Sequence, residues 1–539
     1  MSGDRLRRSL ASSQANSVQL YDATLRDGMQ GEGLTLTAAE KLRVVHALDA
    51  LGVHLIEAGF PASNPKEAEL FELLAGERLR HAEIAAFGMT RRRDVAAEDD
   101  PAMRLMAELF APVCTLVGKT WRLHLEKVVR VSPEENLAMI ADSVAFLTGA
   151  GKRVVYDAEH FFDGWRADCD YALACLRAAA DAGAETVVLC DTNGSSLPVQ
   201  VGEATAAVVA ALGDAVRVGI HTHNDAECGV ANALVAVEAG AGQVQGTLNG
   251  IGERTGNANL VSIIANLQLK LGRRVVSDEQ LAHLTPTAHY VDELLNRAPH
   301  DAQPYVGKNA FAHKGGMHVA GVRADARTFE HVDPALVGNH RDLLISELSG
   351  RATVVEKAVD VGVELDGEAA ARVVDRVKAL EHAGYHFEAA DGSFELLLRK
   401  EAGVYEPLFR LESWRVIVEK RADGKVETEA TVKVWRDGER HVCTAEGNGP
   451  VNALDHALRQ ALGATCPDVE LTNFKVRILD EAKGTDAVTR VLLETTDGQE
   501  SWGSIGVSEN VIEASWEALV DSLEYVIQAR PPARVRSPA

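Results

Sequence analysis

The chain is short of several things that would place it quickly. It has no C-x-x-C pair, and its seven cysteines, at 114, 169, 175, 190, 228, 443 and 466, are scattered. That pattern gives no disulfide framework and suits a reducing cytoplasm, so a cytoplasmic protein is expected. No apolar run approaches the roughly 18 residues that a membrane span needs, so no membrane partner is expected. Basic residues are in deficit: 55 Lys and Arg stand against 79 Asp and Glu, a net charge of −24. Phosphate backbones call for a basic surface, so nucleic acid is not an expected partner. Residues 1–17 hold Arg5, Arg7, Arg8 and several serines, but also Asp4 and no apolar core. They read as a disordered tail rather than a targeting segment.

What is present is length and rhythm. The 539 residues exceed one ordinary core, so two or three domains are expected. From Val18 short apolar runs alternate with helical patterns. The strand candidates are 18–22, 54–60, 84–90, 113–118, 153–160, 186–192, 216–223 and 243–249. Ser132-Pro133-Glu134-Glu135 has the cap, the proline and the acids of a helix start, and the glycines at 183 and 240 close helices. Eight strand–helix units over about 250 residues match a (β/α)8 barrel. An open doubly wound sheet wants a glycine-rich phosphate turn after its first strand. Asp22-Ala23-Thr24-Leu25-Arg26-Asp27 is not one, so the barrel is preferred.

Barrel chemistry sits at the C-terminal strand ends, and polar residues gather there. They include Asp22, Arg26, Asp27 and Gln30 after the first strand and Glu57 in the second. Asp157, Glu159 and His160 follow at the fifth, Asp191, Thr192 and Asn193 at the sixth, and Asn249, Glu253 and Asn257 at the eighth. The most informative stretch ends the seventh strand: His221-Thr222-His223-Asn224-Asp225. Residues two apart on a strand share a face, so both imidazoles project to one point, the beginning of a divalent-metal site. H-x-H alone matches often by chance; the carboxylates and amides on the same rim give it weight.

Three segments carry a family resemblance. Thr24-Leu25-Arg26-Asp27-Gly28-Met29-Gln30, His221-Thr222-His223-Asn224-Asp225 and Gly250-Ile251-Gly252-Glu253-Arg254-Thr255-Gly256-Asn257 resemble the signatures of the DRE-TIM metallolyases. Isopropylmalate, homocitrate and citramalate synthases belong to that family. Phe311–His318 is similar to the post-barrel segment that donates a catalytic histidine, and the C-terminal part is similar to the regulatory domain of the same synthases. Tyr156–Gly164 and His331–Asn339 look most like the long citramalate synthases, which condense pyruvate with acetyl-CoA. Glu57-Ala58-Gly59-Phe60-Pro61 is closer to the isopropylmalate pattern, which keeps a larger 2-keto acid as the alternative substrate. A metal-dependent aldolase or lyase of the same barrel group is the rival of a different class.

The chemistry sets out the expected roles. Joining an acetyl thioester to a keto acid needs a polarised ketone, a base for the thioester methyl and a stabiliser for the alkoxide. Asp27, His221 and His223, with Asn257 adding an amide oxygen, would hold one divalent cation, whether Mn, Mg or Zn, and leave positions for a bidentate keto acid. Arg26 is the permanent charge suited to the developing alkoxide. Thr192 and Gln30 are candidate substrate contacts. For Glu159 the resemblance implies ordering of a metal-bound water or the incoming thioester, and a salt bridge is the competing role. His318 is the general-base candidate, and Gly315-Gly316 lets backbone approach a bulky ligand such as acetyl-CoA. Because His318 lies outside the barrel sequence, it must come from a following subdomain or a partner subunit, which points to a homodimer.

The expected organisation is a tail over 1–17, a catalytic barrel over 18–284, a helical linker subdomain over 285–384 and an α+β regulatory domain over 385–539. In the last, residues 395–399, 414–418, 430–435, 473–478 and 489–495 read as strands and 452–462 and 509–527 as helices. Gly447–Gly449 and Gly503–Ser508 read as glycine turns before those helices, which makes an internal repeat. Gly447, Gly449 and Gly506 are candidate effector contacts, since exposed backbone N–H groups hold carboxylates. The resemblance implies isoleucine as the effector.

Overall fold

The computed structural model describes residues 18–529 except 64, 315, 344–350, 480–483 and 485. The expected tail over 1–17 and Gly315 lie outside the described residues. Contacts divide the chain into two units. One runs to Phe311 and takes in Glu330–Arg341; the other is Ala312–Phe329 with Asp342 onward.

The first unit is a closed barrel of parallel strands in sequence order, β1 to β8. They are β1 (Gln19–Asp22), β2 (Leu55–Gly59), β3 (Glu83–Met89), β4 (Val113–Lys119), β5 (Arg153–Glu159), β6 (Thr186–Asp191), β7 (Arg217–Thr222) and β8 (Gln243–Gly246). β1 pairs with β8 through Leu20 and Val244, which closes the ring. Helices start where their caps predict. Thr37 and Glu40 form a reciprocal capping box for Ala38–Leu51, and Ser132 accepts from the Glu135 N–H at 3.2 Å. Strand residues alternate between two environments. One set, including Leu20, Ile56, Val154, Val187 and Val244, packs outward into the large core beneath the helices. The other, including Tyr21, Leu55, Val113, Val155 and Val188, fills the barrel interior.

Beyond the barrel the first unit continues through a helix, Leu284–Leu294, and a mostly irregular stretch to Phe311. In the second unit, helices Gly316–Ala324, Arg351–Asp360 and Gly367–His382 precede the C-terminal sheets. Those are two antiparallel three-stranded sheets, β9 (Arg410–Lys420), β10 (Val426–Arg436) and β11 (Glu439–Gly447), then β12 (Glu470–Ile478), β13 (Thr489–Thr496) and β14 (Ser501–Ser508). A helix follows each sheet, Pro450–Leu462 and Val511–Ala529, so the repeat is three strands and a helix, twice. Their apolar faces share one core through Leu454, Leu458, Trp516 and Leu519.

Two local expectations are corrected by the structure, and one strand is added to them. Residues 395–399 are not a strand but lie in the helix Asp391–Glu401. Periodicity cannot separate strand from helix in a short run buried on all sides, as Leu396, Leu397 and Leu398 are. The helix is supported by Arg399 donating from Nε to Glu395 at 2.9 Å. Glu439–Gly447, unassigned from sequence, is a full strand paired to β10. Residues 503–508 are not a turn but most of β14, paired to β13. Their glycines serve close packing: a Cβ on Gly506 would meet the Ala514 carbonyl oxygen at 1.9 Å, and one on Gly503 would meet that of Ala389 at 2.0 Å. Gly506 therefore lies in strand against the helix Val511–Ala529 rather than in an open anion-binding turn. Gly447 ends β11 and Gly449 caps the helix from Pro450, while the Asn448 N–H between them donates to Asn452 at 3.1 Å.

Candidate active site

The C-terminal mouth of the barrel opens into a pocket of about 520 Å³. Among the residues lining it are Arg26, Asp27, Gln30, Glu159, Thr192, His221 and His223. β7 delivers His221 from the strand and His223 just beyond it, where an isolated bridge to Asn257 pins the chain. The turn after β1 delivers Arg26 and Asp27. Asp22 holds that turn by accepting from the Thr24 N–H and hydroxyl at 2.9 and 2.8 Å.

The Nε2 atoms of His221 and His223 lie 3.3 Å apart. Asp27 Oδ2 is 3.2 Å from the first and 3.6 Å from the second. Bonds of about 2.1 Å at right angles around one ion put donor atoms about 3 Å apart, so these three fit a divalent cation at the centre of the mouth. Among the described residues, this is the group of His, Cys, Asp and Glu found with that convergence. Asn257, bridged to His223 through the backbone, has a buried Oδ1 with no hydrogen-bond partner, an oxygen of the type that suits a cation.

Electrostatics hold Asp27 and His223 in ligand form. Burial pushes the Asp27 carboxyl up, but the Arg26 guanidinium and the His221 hydrogen bond outweigh it and hold the group far below the usual carboxylate range. Burial and the neighbouring His221 press His223 down to about 4, the neutral state a metal ligand needs. Burial also lowers His221, but its bond to Asp27 and that residue's charge prevail and raise it.

Arg26 is fixed from two sides. Its Nε donates to Glu57 Oε2 at 2.7 Å, and its guanidinium carbon sits 3.9 Å from the centroid of the Phe87 ring. Glu57, fully buried, also accepts from the Tyr21 hydroxyl at 2.8 Å. Glu159 pairs with Lys119 at the end of β4. Neither Lys119 nor Phe87 was selected from sequence; their place on inward-facing positions at strand ends was the available signal. Thr192 accepts from the His160 N–H at 2.9 Å, which ties the fifth and sixth strand ends together. Gln30 is exposed at the rim. His318 belongs to the other unit, exposed on the helix Gly316–Ala324 with its ring 4.2 Å from that of Phe329.

The comparisons with known proteins agree with this geometry. The HMGL-like family model matches residues 17–291, half of the chain. The chain belongs to the HMGL-like family. The model of the homocitrate synthase post-HMGL domain matches 305–384, and that of the LeuA allosteric (dimerisation) domain matches 388–527. The (R)-citramalate synthase of Streptomyces coelicolor is 48% identical over 95% of this chain and 96% of its own length. That of Aquifex aeolicus is 47% identical over 95% and 98%. The 2-isopropylmalate synthase of Pyrococcus furiosus is 31% identical over 95% and 99%. The group within the family is thus that of the (R)-citramalate synthases. Among the described residues, no helix is long and apolar enough to cross a membrane.

Proposed function

We propose that this HMGL-like enzyme is an acyltransferase that condenses acetyl-CoA with pyruvate to give (R)-citramalate and CoA. The observation that carries the reading is the buried Asp27, His221 and His223 triad beside Arg26, in a chain 48% identical to a citramalate synthase along almost its whole length. A larger 2-keto acid is disfavoured because the isopropylmalate synthase of Pyrococcus furiosus stands at 31%.

Asp27, His221 and His223, with Asn257, would hold the cation. When bound, it supplies Lewis acidity to the keto oxygen. Arg26, immobilised by Glu57 and Phe87 and with Nη1 3.5 Å from Asp27 Oδ1, offers its guanidinium to the oxygen that gains charge on attack. A donor that need not reorganise is the most effective stabiliser there. Thr192 and Gln30 orient the keto-acid carboxylate. Glu159, with its charge balanced by Lys119, faces the incoming thioester. His318 takes the methyl proton, from its own chain or a partner's. The work is divided among the barrel of 18–284, a linker of 285–384 that carries His318, and a domain of 385–539 that dimerises and binds isoleucine as feedback inhibitor. The product supports a place in isoleucine biosynthesis in the cytoplasm.

Thiol release from acetyl-CoA, measured against pyruvate, 2-ketoisovalerate and 2-ketoglutarate in turn, tests the assignment. Pyruvate should give the highest kcat/KM by at least tenfold, since about 1–3 kcal/mol attends each extra methylene. Preference for a branched or dicarboxylic keto acid would move the chain to another synthase.

A further inference from the structure

His221 has a second nitrogen, and the barrel interior has a dedicated partner for it. Its Nδ1 lies 2.9 Å from Gln245 Oε1, and Gln245 Nε2 donates to Asp157 Oδ1 at 2.9 Å. His221, Gln245 and Asp157 are 5%, 0% and 3% exposed, so water does not compete for these bonds. The arrangement is a product of closure. Gln245 is the register partner of His221 on the adjacent β8. Asp157 is on β5, which does not neighbour β8 in the sheet, and Gln245 reaches it across the interior.

A primary amide has one accepting and one donating end. With its N–H given to Asp157 Oδ1, the amide turns its carbonyl oxygen toward His221. That oxygen can pair with Nδ1 only if the ring carries a proton there, which reserves Nε2, the nitrogen facing Asp27 and His223, for the cation. We propose that Gln245, oriented by Asp157, is a positioning residue that selects the His221 tautomer able to bind the cation. His223 Nδ1 is buried without a partner. The two imidazoles are therefore unequal: His221 has an outer partner on Nδ1, and His223 has none on its own Nδ1. Outer partners of this kind typically govern about 10–100-fold in metal affinity.

The inference rests on the metal reading of the site, and one experiment separates the two. Co²⁺ is titrated into the full-length, metal-stripped protein and followed by calorimetry and by its visible absorption spectrum. Circular dichroism melting serves as the control for folding. Gln245→Met keeps the reach of the side chain and removes the acceptor; Gln245→Glu combined with Asp157→Asn keeps an acceptor facing Nδ1 and reverses the donor and acceptor of the outer bond. The expected result is about 10–100-fold weaker Co²⁺ binding with altered absorption bands in Gln245→Met, and affinity largely restored in the Gln245→Glu, Asp157→Asn pair. Asp157→Leu, which frees the amide to rotate, should also weaken binding with His221 untouched, and stands in should Gln245→Met fail to fold. Unchanged affinity in folded Gln245→Met or Asp157→Leu overturns the inference, as does a folded Gln245→Glu, Asp157→Asn protein as weak as Gln245→Met. No Co²⁺ spectrum in the unsubstituted protein overturns the metal reading itself, and this inference with it.

Discussion

Arg26 Nε donates to Glu57 Oε2 at 2.7 Å, joining the loop after β1 to a fully buried residue of β2. The pair explains why a permanent charge can sit beside Asp27 without wandering: Nε is committed to Glu57, and Nη1 lies 3.5 Å from Asp27 Oδ1 on the pocket lining. Glu57→Ala leaves that charge without its closest partner. Loss of about 3–5 kcal/mol is expected from breaking such a buried pair, together with a fall in kcat. Calorimetric unfolding checks the first and steady-state kinetics the second. Native stability with native kcat would show the pair to be dispensable.

His223→Ala removes one of three converging donors but no core packing of consequence. The variant should fold with an unaltered circular dichroism spectrum and lose turnover at ordinary cation concentrations. Chelation of the unsubstituted enzyme should do the same, reversibly. Full turnover in stripped His223→Ala protein would remove the metal from the mechanism.

His318→Ala should lower thiol release by about 10²–10⁴-fold, the usual contribution of a positioned base, with Co²⁺ binding unchanged. A rise in the KM for acetyl-CoA with kcat intact would reassign the residue to binding.

Feedback is checked on the full chain by calorimetry with isoleucine, leucine and valine. Isoleucine should bind, and pyruvate should weaken that binding by the same factor by which isoleucine weakens pyruvate binding, since equilibrium coupling is reciprocal. With Gly503 and Gly506 built into β14, the effector's carboxylate has to be met elsewhere in the domain. Absence of heat with all three amino acids would leave the domain as a dimerisation element.

A stability prediction follows from the helix Val511–Ala529. Burial raises Asp521 to about 6, against the nearby Lys400. A carboxyl raised above its unfolded value holds its proton more tightly when folded. Its stabilising contribution is therefore present at low pH and is lost as pH rises from about 4 through 6. Asp521→Asn should raise the melting temperature of the second unit at pH 8 and give no gain at pH 4. An equal shift at both values would attribute the effect to packing.

The barrel was legible because each of its local signals agreed with the global fold. β-branched runs, helix caps and terminal glycines recurred at a spacing that few architectures use, and the observed strands differ from those expected only at their ends. The convergence at the polar rim was legible for a related reason: strand alternation fixes which residues share a face, so His221 and His223 could be paired from their spacing. Residues 395–399 and 503–508 were misread where alternation carries no information. One is a leucine run buried on every side, and the other is a glycine-bearing strand whose small residues answer to a helix packed on top.

The sequence by itself therefore determined the barrel, its polar rim and the donors at its seventh strand, because local periodicity and short-range spacing are sufficient for those. Only the tertiary structure decided which partners each rim residue has. Glu57 and Phe87 around Arg26, Lys119 beside Glu159, and Gln245 spanning from β8 to Asp157 on β5 all join strands far apart in the chain. Their contacts arise from ring closure, which brings inward-facing side chains of non-neighbouring strands within hydrogen-bond reach, and no linear pattern encodes that distance.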